Sequence, residues 1–341
     1  MLATTHLATE ILLPTRDYDL AATLESGQVF RWHRQDDSWI GVIGNNHVRL
    51  TQNSGGILAQ TATPQDNWDW LRQFLQTDAD LTAILNTFPD DEPMRRATAA
   101  CRGLRVLRQE PWECLASFIL SSTKQIVQIR QIIALLCEKF GEPLTLTLSR
   151  REREQQPNPA SFSSDLLAIA ATRLSKDRRT VLPLPKGEGR GEGKENRRQS
   201  SGNLFHSFPS PETIAAATES DLRACKMGFR APHLLKAARQ IAEGQIDLEQ
   251  IRRLPLAEAR SELMKLDGVG PKIADCVLLF AYGFDSAFPV DVWVERALRQ
   301  LYFPRRRVSE KKLLNFAVTH FGPHAGYAQQ YLFHYMRTKM K

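Results

Sequence analysis

Two residues carry the strongest chemical suggestion in this 341-residue chain: Lys272 and, 19 positions later, Asp291. Lys272 stands just inside a helix that opens at Pro271, after the turn Asp267-Gly268-Val269-Gly270. Proline costs nothing at a first helical position, where its missing N–H would lack a partner anyway. Gly268 and Gly270 bracket one valine, so the turn can be tight and its backbone can approach a partner closely. A turn of this kind at a helix start presents free N–H groups and a positive dipole end, which suits a phosphate. A lysine at that end, beside an apolar run, has reasons to give up its proton and act as a nucleophile. The bland alternative is a solvated surface lysine. Asp291, after Phe288-Pro289-Val290, reads as a helix N-cap or as a carboxylate held for chemistry, and the two roles are compatible.

The surrounding elements must position this pair. Residues 1 to about 95 are β-rich, with short apolar or alternating runs at Ile11–Leu13, Val29–Trp32, Trp39–Ile43, His47–Leu50 and Ile57–Ala59. Asn45-Asn46 and Asn53-Ser54-Gly55-Gly56 supply turns, so an antiparallel sheet is expected, with a helix around Asp19 to Leu24. Leu104 to Phe140 reads as helical, interrupted by the polar break Ser121-Ser122-Thr123-Lys124-Gln125. Further helices are expected from Pro211, at Asp221, from about Ala257 to Leu266, after Pro271, over Val292 to Leu301, and from near Gly322. In the last of these, Gln329 and Phe333 are four apart and share a face.

Bulk properties exclude several classes. No 18-residue apolar run suits a membrane span and Met1-Leu2-Ala3 begins no signal peptide, which predicts a cytoplasmic protein without a membrane partner. Five scattered cysteines (Cys101, Cys114, Cys137, Cys225, Cys276) make no CxxC pair, so neither a disulfide framework, a zinc site nor an iron–sulfur cluster is expected. The net charge is +7, but residues 145–203 hold 12 basic and 7 acidic side chains and so account for +5 of it. Global charge is therefore weak support for DNA binding, and local geometry must carry that case. The same segment, with its Pro183–Lys194 run of Gly, Glu, Arg and Lys, cannot bury a core and is expected to be a disordered insertion.

Several stretches resemble one known family. Leu266–Cys276 (LDGVGPKIADC) and Pro289–Leu298 (PVDVWVERAL) are similar to the helix-hairpin-helix and Gly-Pro-Asp signatures of DNA base-excision glycosylases. Within that superfamily, Ser26–Trp32 (SGQVFRW), Arg108–Ile119 and Gly326–Phe333 (GYAQQYLF) resemble the 8-oxoguanine DNA glycosylases. The resemblance implies an α+β fold. An N-terminal antiparallel β-sheet domain with helices, like the TATA-binding protein, occupies 1–95. A mainly α helix-hairpin-helix domain spans 96–144 and 204–341, leaving 145–203 as the insertion.

The resemblance also implies roles. Lys272 would be the Schiff-base nucleophile and Asp291 the catalytic carboxylate. Gly27, Cys276, Phe280, Pro289, Gln329 and Phe333 would line the base pocket: the Gly27 carbonyl meeting N7–H of the lesion, Gln329 its Watson–Crick edge, Phe333 its face. Lys124, Gln125, Phe229, Arg230, Gly268, Val269, Gly270 and Trp293 would contact DNA, with Phe229 wedged into the stack. The implied partner is duplex DNA containing 8-oxoguanine, met by a monomer without cofactor; the one metal contemplated is a monovalent cation at the hairpin backbone. Thr123-Lys124-Gln125 and Trp293 depart from the Asn triplet and histidine of the eukaryotic branch. Those departures predict a bacterial-type member with looser reading of the opposite base. Two rival functions are a monofunctional alkylpurine glycosylase, against which Lys272 speaks, and a noncatalytic hairpin DNA binder.

Overall fold

The computed structural model describes residues 8–122, 125–144 and 205–339. The 145–203 insertion and Lys124 lie outside the described residues. After β1 (Ala8–Leu13) and α1 (Leu20–Glu25), strands β2 (His33–Gln35), β3 (Ser38–Ile43), β4 (Asn46–Asn53) and β5 (Gly56–Gln65) follow. They form one antiparallel five-stranded sheet, ordered β1-β5-β4-β3-β2. Alternation sets its faces: in β4, Val48 and Leu50 are buried while Arg49 is exposed. Asp19 caps α1 by accepting a hydrogen bond from Ala22 N at 2.8 Å.

The helical part opens with α2 (Asp69–Leu75), α3 (Leu81–Leu85), α4 (Glu92–Ala100), α5 (Pro111–Ser121) and α6 (Ile126–Phe140). A two-stranded ladder, β6 (Pro143–Leu144) with β7 (Phe205–His206), closes the stem from which the insertion departs. Then come α7 (Pro211–Ala215), α8 (Glu219–Ala224), α9 (Ala231–Ala242), α10 (Leu248–Ile251) and α11 (Leu256–Leu263). The chain ends with α12 (Pro271–Val277), α13 (Val292–Ala297), α14 (Glu310–His320) and α15 (Ala325–Lys339). A single wide turn prolongs α12 over Leu278–Tyr282 and another prolongs α13 over Leu298–Tyr302. Among the described residues, no helix is long and apolar enough to cross a membrane.

Two expected elements take other shapes. Val29–Trp32 is irregular rather than a strand, because its apolar side chains serve two cores. Val29 and Trp32 pack under the sheet with Leu50 and Leu71, whereas Phe30 packs among the helices with Trp112 and Phe118. Leu104–Glu110 is extended rather than helical. Its backbone is satisfied by the buried Gln28 side chain: Leu107 N donates to Gln28 Oε1 (2.8 Å) and Gln28 Nε2 donates to the Arg105 carbonyl (2.8 Å). Gln109 Nε2 in turn donates to the Gln28 carbonyl (2.8 Å). A side-chain amide thus replaces a helical ladder, which apolar spacing could not reveal. The helix itself starts where Glu110 caps it and Pro111 takes the first position.

Candidate active site

The hairpin turn is built from the inside. Leu263, Leu266 and Val269 are buried and anchor the turn into the helical core. Gly268 adopts φ +78°, and a Cβ there would lie 2.7 Å from His233 Cβ on α9, so only glycine fits. Gly270, by contrast, faces open space. Asp267 is held by α9 from both sides: its N–H donates to Gln240 Oε1 (3.0 Å) and its Oδ2 meets His233 Nδ1 at 2.5 Å. Arg260 Nε to Asp275 Oδ1 (2.6 Å) ties α11 to α12.

Lys272 lies in the first turn of α12, half-buried, with Nζ 5.5 Å from the ring centroid of Phe118 on α5. Cys276, one turn further on, is buried, and burial pushes its thiol up to about 12; the Lys272 charge opposes that shift and the Asp291 charge adds to it. It therefore stays a neutral thiol at physiological pH. Asp291 caps α13, Oδ1 accepting from Trp293 N (3.0 Å) and Val294 N (2.8 Å). Burial raises its carboxyl above the usual range, while those two N–H groups and the charges of Lys272 and Arg337 pull the other way. The cap fixes one oxygen and the backbone, so the carboxylate is rigid before any substrate arrives.

The opposite wall comes from the two ends of the chain. Gly27, at φ +82°, presses against α15: a Cβ there would sit 3.2 Å from Phe333 Cε1, 3.2 Å from Arg337 Nη1 and 3.3 Å from Ile126 Cδ1. Gln330 Nε2 donates to the Ser26 carbonyl (2.9 Å) and Arg337 Nη1 to the Glu25 carbonyl (3.3 Å). Phe333 is half-buried, and Gln329 is 4% exposed with a buried Oε1 that has no hydrogen-bond partner among the described residues. Pro289 is buried. Phe280 is a core ring, stacked on Phe118 at 5.5 Å, with its carbonyl accepting from Gln109 N (2.7 Å).

The residues expected against DNA fall at different depths. Phe229 is 58% exposed in a single 3-10 turn, Gly228–Arg230, rather than packed in the core. Arg230 is only 1% exposed, its guanidinium 4.2 Å from the Phe229 ring centroid, so it backs that ring rather than reaching outward. Gln125 is exposed at the start of α6, its N–H donating to Gln128 Oε1 (3.4 Å). Trp293 is half-buried beneath the guanidinium of Arg296, 4.9 Å away. Among the described residues, no group of three or more His, Cys, Asp or Glu side chains could hold a metal ion, so a cation at the hairpin would rest on backbone carbonyls. Arg337 was missed by sequence reasoning, although its i, i+4 spacing after Gln329 and Phe333 marks it as sharing their face.

Two family models match the chain. One is the N-terminal domain of 8-oxoguanine DNA glycosylases, over residues 10–115; the other is the HhH-GPD superfamily of base excision DNA repair proteins, over residues 196–320. Sheet, hairpin and capped aspartate thus define a base-excision fold. A probable N-glycosylase/DNA lyase of Methanothermobacter thermautotrophicus is 26% identical, the alignment covering 95% of each chain. The structure of MBOgg1 in complex with a low-affinity DNA ligand superposes with a TM-score of 0.78 at 28% identity, covering 98% of each chain. The Clostridium acetobutylicum 8-oxoguanine glycosylase/lyase, in complex with duplex DNA carrying cytosine opposite 8-oxoguanine, gives a TM-score of 0.75 at 27% identity, covering 97% of this chain and 99% of that one. The chain belongs to the 8-oxoguanine DNA glycosylase/lyase family of the HhH-GPD superfamily.

Proposed function

We propose that this protein is a bifunctional DNA glycosylase that excises 8-oxoguanine from duplex DNA and nicks the strand at the resulting site. One observation carries the assignment of the chemistry. Asp291 is held rigidly at the start of α13 by Trp293 N and Val294 N, it feels the charges of both Lys272 and Arg337, and Arg337 lies beside the Gly27 turn and the Phe333 ring. Nucleophile, carboxylate and base wall therefore border one space.

A lesion within the stack cannot be reached, so the nucleotide is first extruded, at a cost of about a few kcal/mol. The hairpin backbone around Gly268–Gly270 grips a phosphate, and Phe229 fills the stack from the other side. Phe333 stacks on the flipped base, Cys276 covers its other face, and Gln329 Oε1, unpaired among the described residues, accepts from its Watson–Crick edge. A buried acceptor without a partner is costly, so the site favours a base that supplies the missing donor. As the C1′–N9 bond breaks, its electron pair leaves with the base, which takes up a proton. Positive charge grows at C1′, and Asp291 stabilises it. Lys272, having given that proton to the departing base, bonds through Nζ to C1′; opening of the sugar ring then gives an iminium. Loss of a C2′ proton expels the 3′ phosphate and breaks the C3′–O bond.

The reading divides the chain into a sheet domain over 1–95 and a helical domain over 96–144 and 204–341, with 145–203 as an insertion. It acts as a monomer in the cytoplasm; the five cysteines are all buried, which suits a reducing compartment. Borohydride trapping on an 8-oxoguanine duplex tests it. Wild type should give a covalent adduct and Lys272→Gln none. No wild-type adduct, or an undiminished adduct from the variant, would refute the nucleophile.

A further inference from the structure

Arg130 and Arg337 lie on α6 and α15, two helices that both reach the Gly27 turn. Arg337 Nη1 and Ile126 Cδ1 both come within 3.3 Å of where a Gly27 Cβ would be. Arg130 follows Ile126 by four residues, one turn along the same side of α6. Both guanidiniums are half-buried. Arg130 Nε is buried with no hydrogen-bond partner among the described residues, and Arg337 spends one N–H on the Glu25 carbonyl. Neither closes a salt bridge among the described residues; the one carboxylate whose charge favours both is Glu25, which is exposed. Burial disfavours the charge on each, and the charge of Arg130 further disfavours that of Arg337.

Two partly desolvated like charges that disfavour one another are an unfavourable arrangement for an empty site, with Glu25 exposed and Asp291 favouring the Arg337 charge alone. An anion between them reverses the sign. A phosphodiester fits best, because the guanidinium fork matches two phosphate oxygens and the position is at the rim of the base pocket, not its floor. The Phe333 ring lies 5.6 Å from the Arg337 guanidinium and keeps that fork oriented. We propose that Arg130 and Arg337 form a clamp for one backbone phosphate of the lesion strand, separate from the hairpin and set beside the Gly27 wall. The proposal rests on the glycosylase reading, since it needs the extruded strand to pass that wall.

The test uses the full chain and a duplex carrying an uncleavable abasic analogue, with single methylphosphonates walked along the lesion strand. In wild type, one substitution away from the hairpin phosphate should weaken binding about tenfold, as one charged contact is lost. Arg130→Gln/Arg337→Gln should bind the unmodified duplex about tenfold more weakly. Its log Kd against log salt slope should be smaller by about 1, and it should be indifferent to that same methylphosphonate. The Lys/Lys double variant keeps both charges and should keep most of the slope. An unchanged slope in the Gln pair, or no such methylphosphonate-sensitive position in wild type, would overturn the clamp. So would a fall in base release with binding and slope intact, which would turn the two arginines toward the base. Borohydride trapping by wild type reports separately on the catalytic reading.

Discussion

Replacing Gly27 by alanine separates backbone strain from damage to the base wall. At φ +82° an L-residue pays roughly 1–2 kcal/mol for the left-handed conformation. Gly44 offers a matched control: φ is +56°, yet nothing lies within 4 Å of its would-be Cβ. Gly27→Ala and Gly44→Ala should therefore lose similar stability, lowering Tm by a few degrees and leaving both folded against a typical margin of about 5–15 kcal/mol. They should differ in activity. The Gly27 methyl meets Phe333 and Arg337 at 3.2 Å each and Ile126 at 3.3 Å, so these neighbours must each yield by a few tenths of an ångström. A misplacement near 1 Å costs on the order of 100-fold in rate, so a shift of that smaller size should cost roughly tenfold in single-turnover release of 8-oxoguanine. Gly44→Ala should be unchanged. Equal rates for the two variants would show that Gly27 does not face the base, and a far larger loss of Tm in Gly27→Ala would show that its role is structural.

Other outcomes follow from the same geometry. Because burial raises the Asp291 carboxyl, its ionised form costs stability, a cost absent at low pH and growing as pH rises through the folded value. Asp291→Asn keeps the cap, so at neutral pH its Tm should equal or exceed wild type while base release is lost; a lower Tm would refute that account. His47 lies 4.1 Å from Phe205 in the β6–β7 stem, and burial, with His33 and Arg49, lowers its value to about 4. That contribution is intact above the ordinary histidine value of 6.5 and is lost as pH falls from there toward 4. Amide exchange at the stem should accelerate over that interval in wild type and less in His47→Gln; identical profiles would exclude His47 as the cause. Deleting Leu146–Gly202 leaves three residues between the paired Leu144 and Phe205, enough for a hairpin. Turnover should persist, and its collapse would give the insertion a working role.

The parts of this molecule legible in the sequence were those fixed by local rules. Pro271 at a first turn, the glycine of a tight left-handed turn, and Asp291 before a helix each state their geometry within a few residues. The Leu104–Glu110 error has the opposite origin: a glutamine 77 residues upstream of Arg105 satisfies that backbone, and no periodicity encodes such a partner. The exposure of Phe229 is not legible locally, because it depends on what packs over a turn. Arg130 and Arg337 become a pair only through α6 and α15, which meet at Gly27.

The bond between Ser26 and Gln330 joins residues 304 positions apart. Contacts of such long range form late, after shorter loops have closed. The hairpin and its lysine can therefore be in place during synthesis well before the wall that encloses a base. A C-terminally clipped chain without α15 would lose Gln329, Phe333 and Arg337 together, and with them the contacts that seat the Gly27 turn against the helical part.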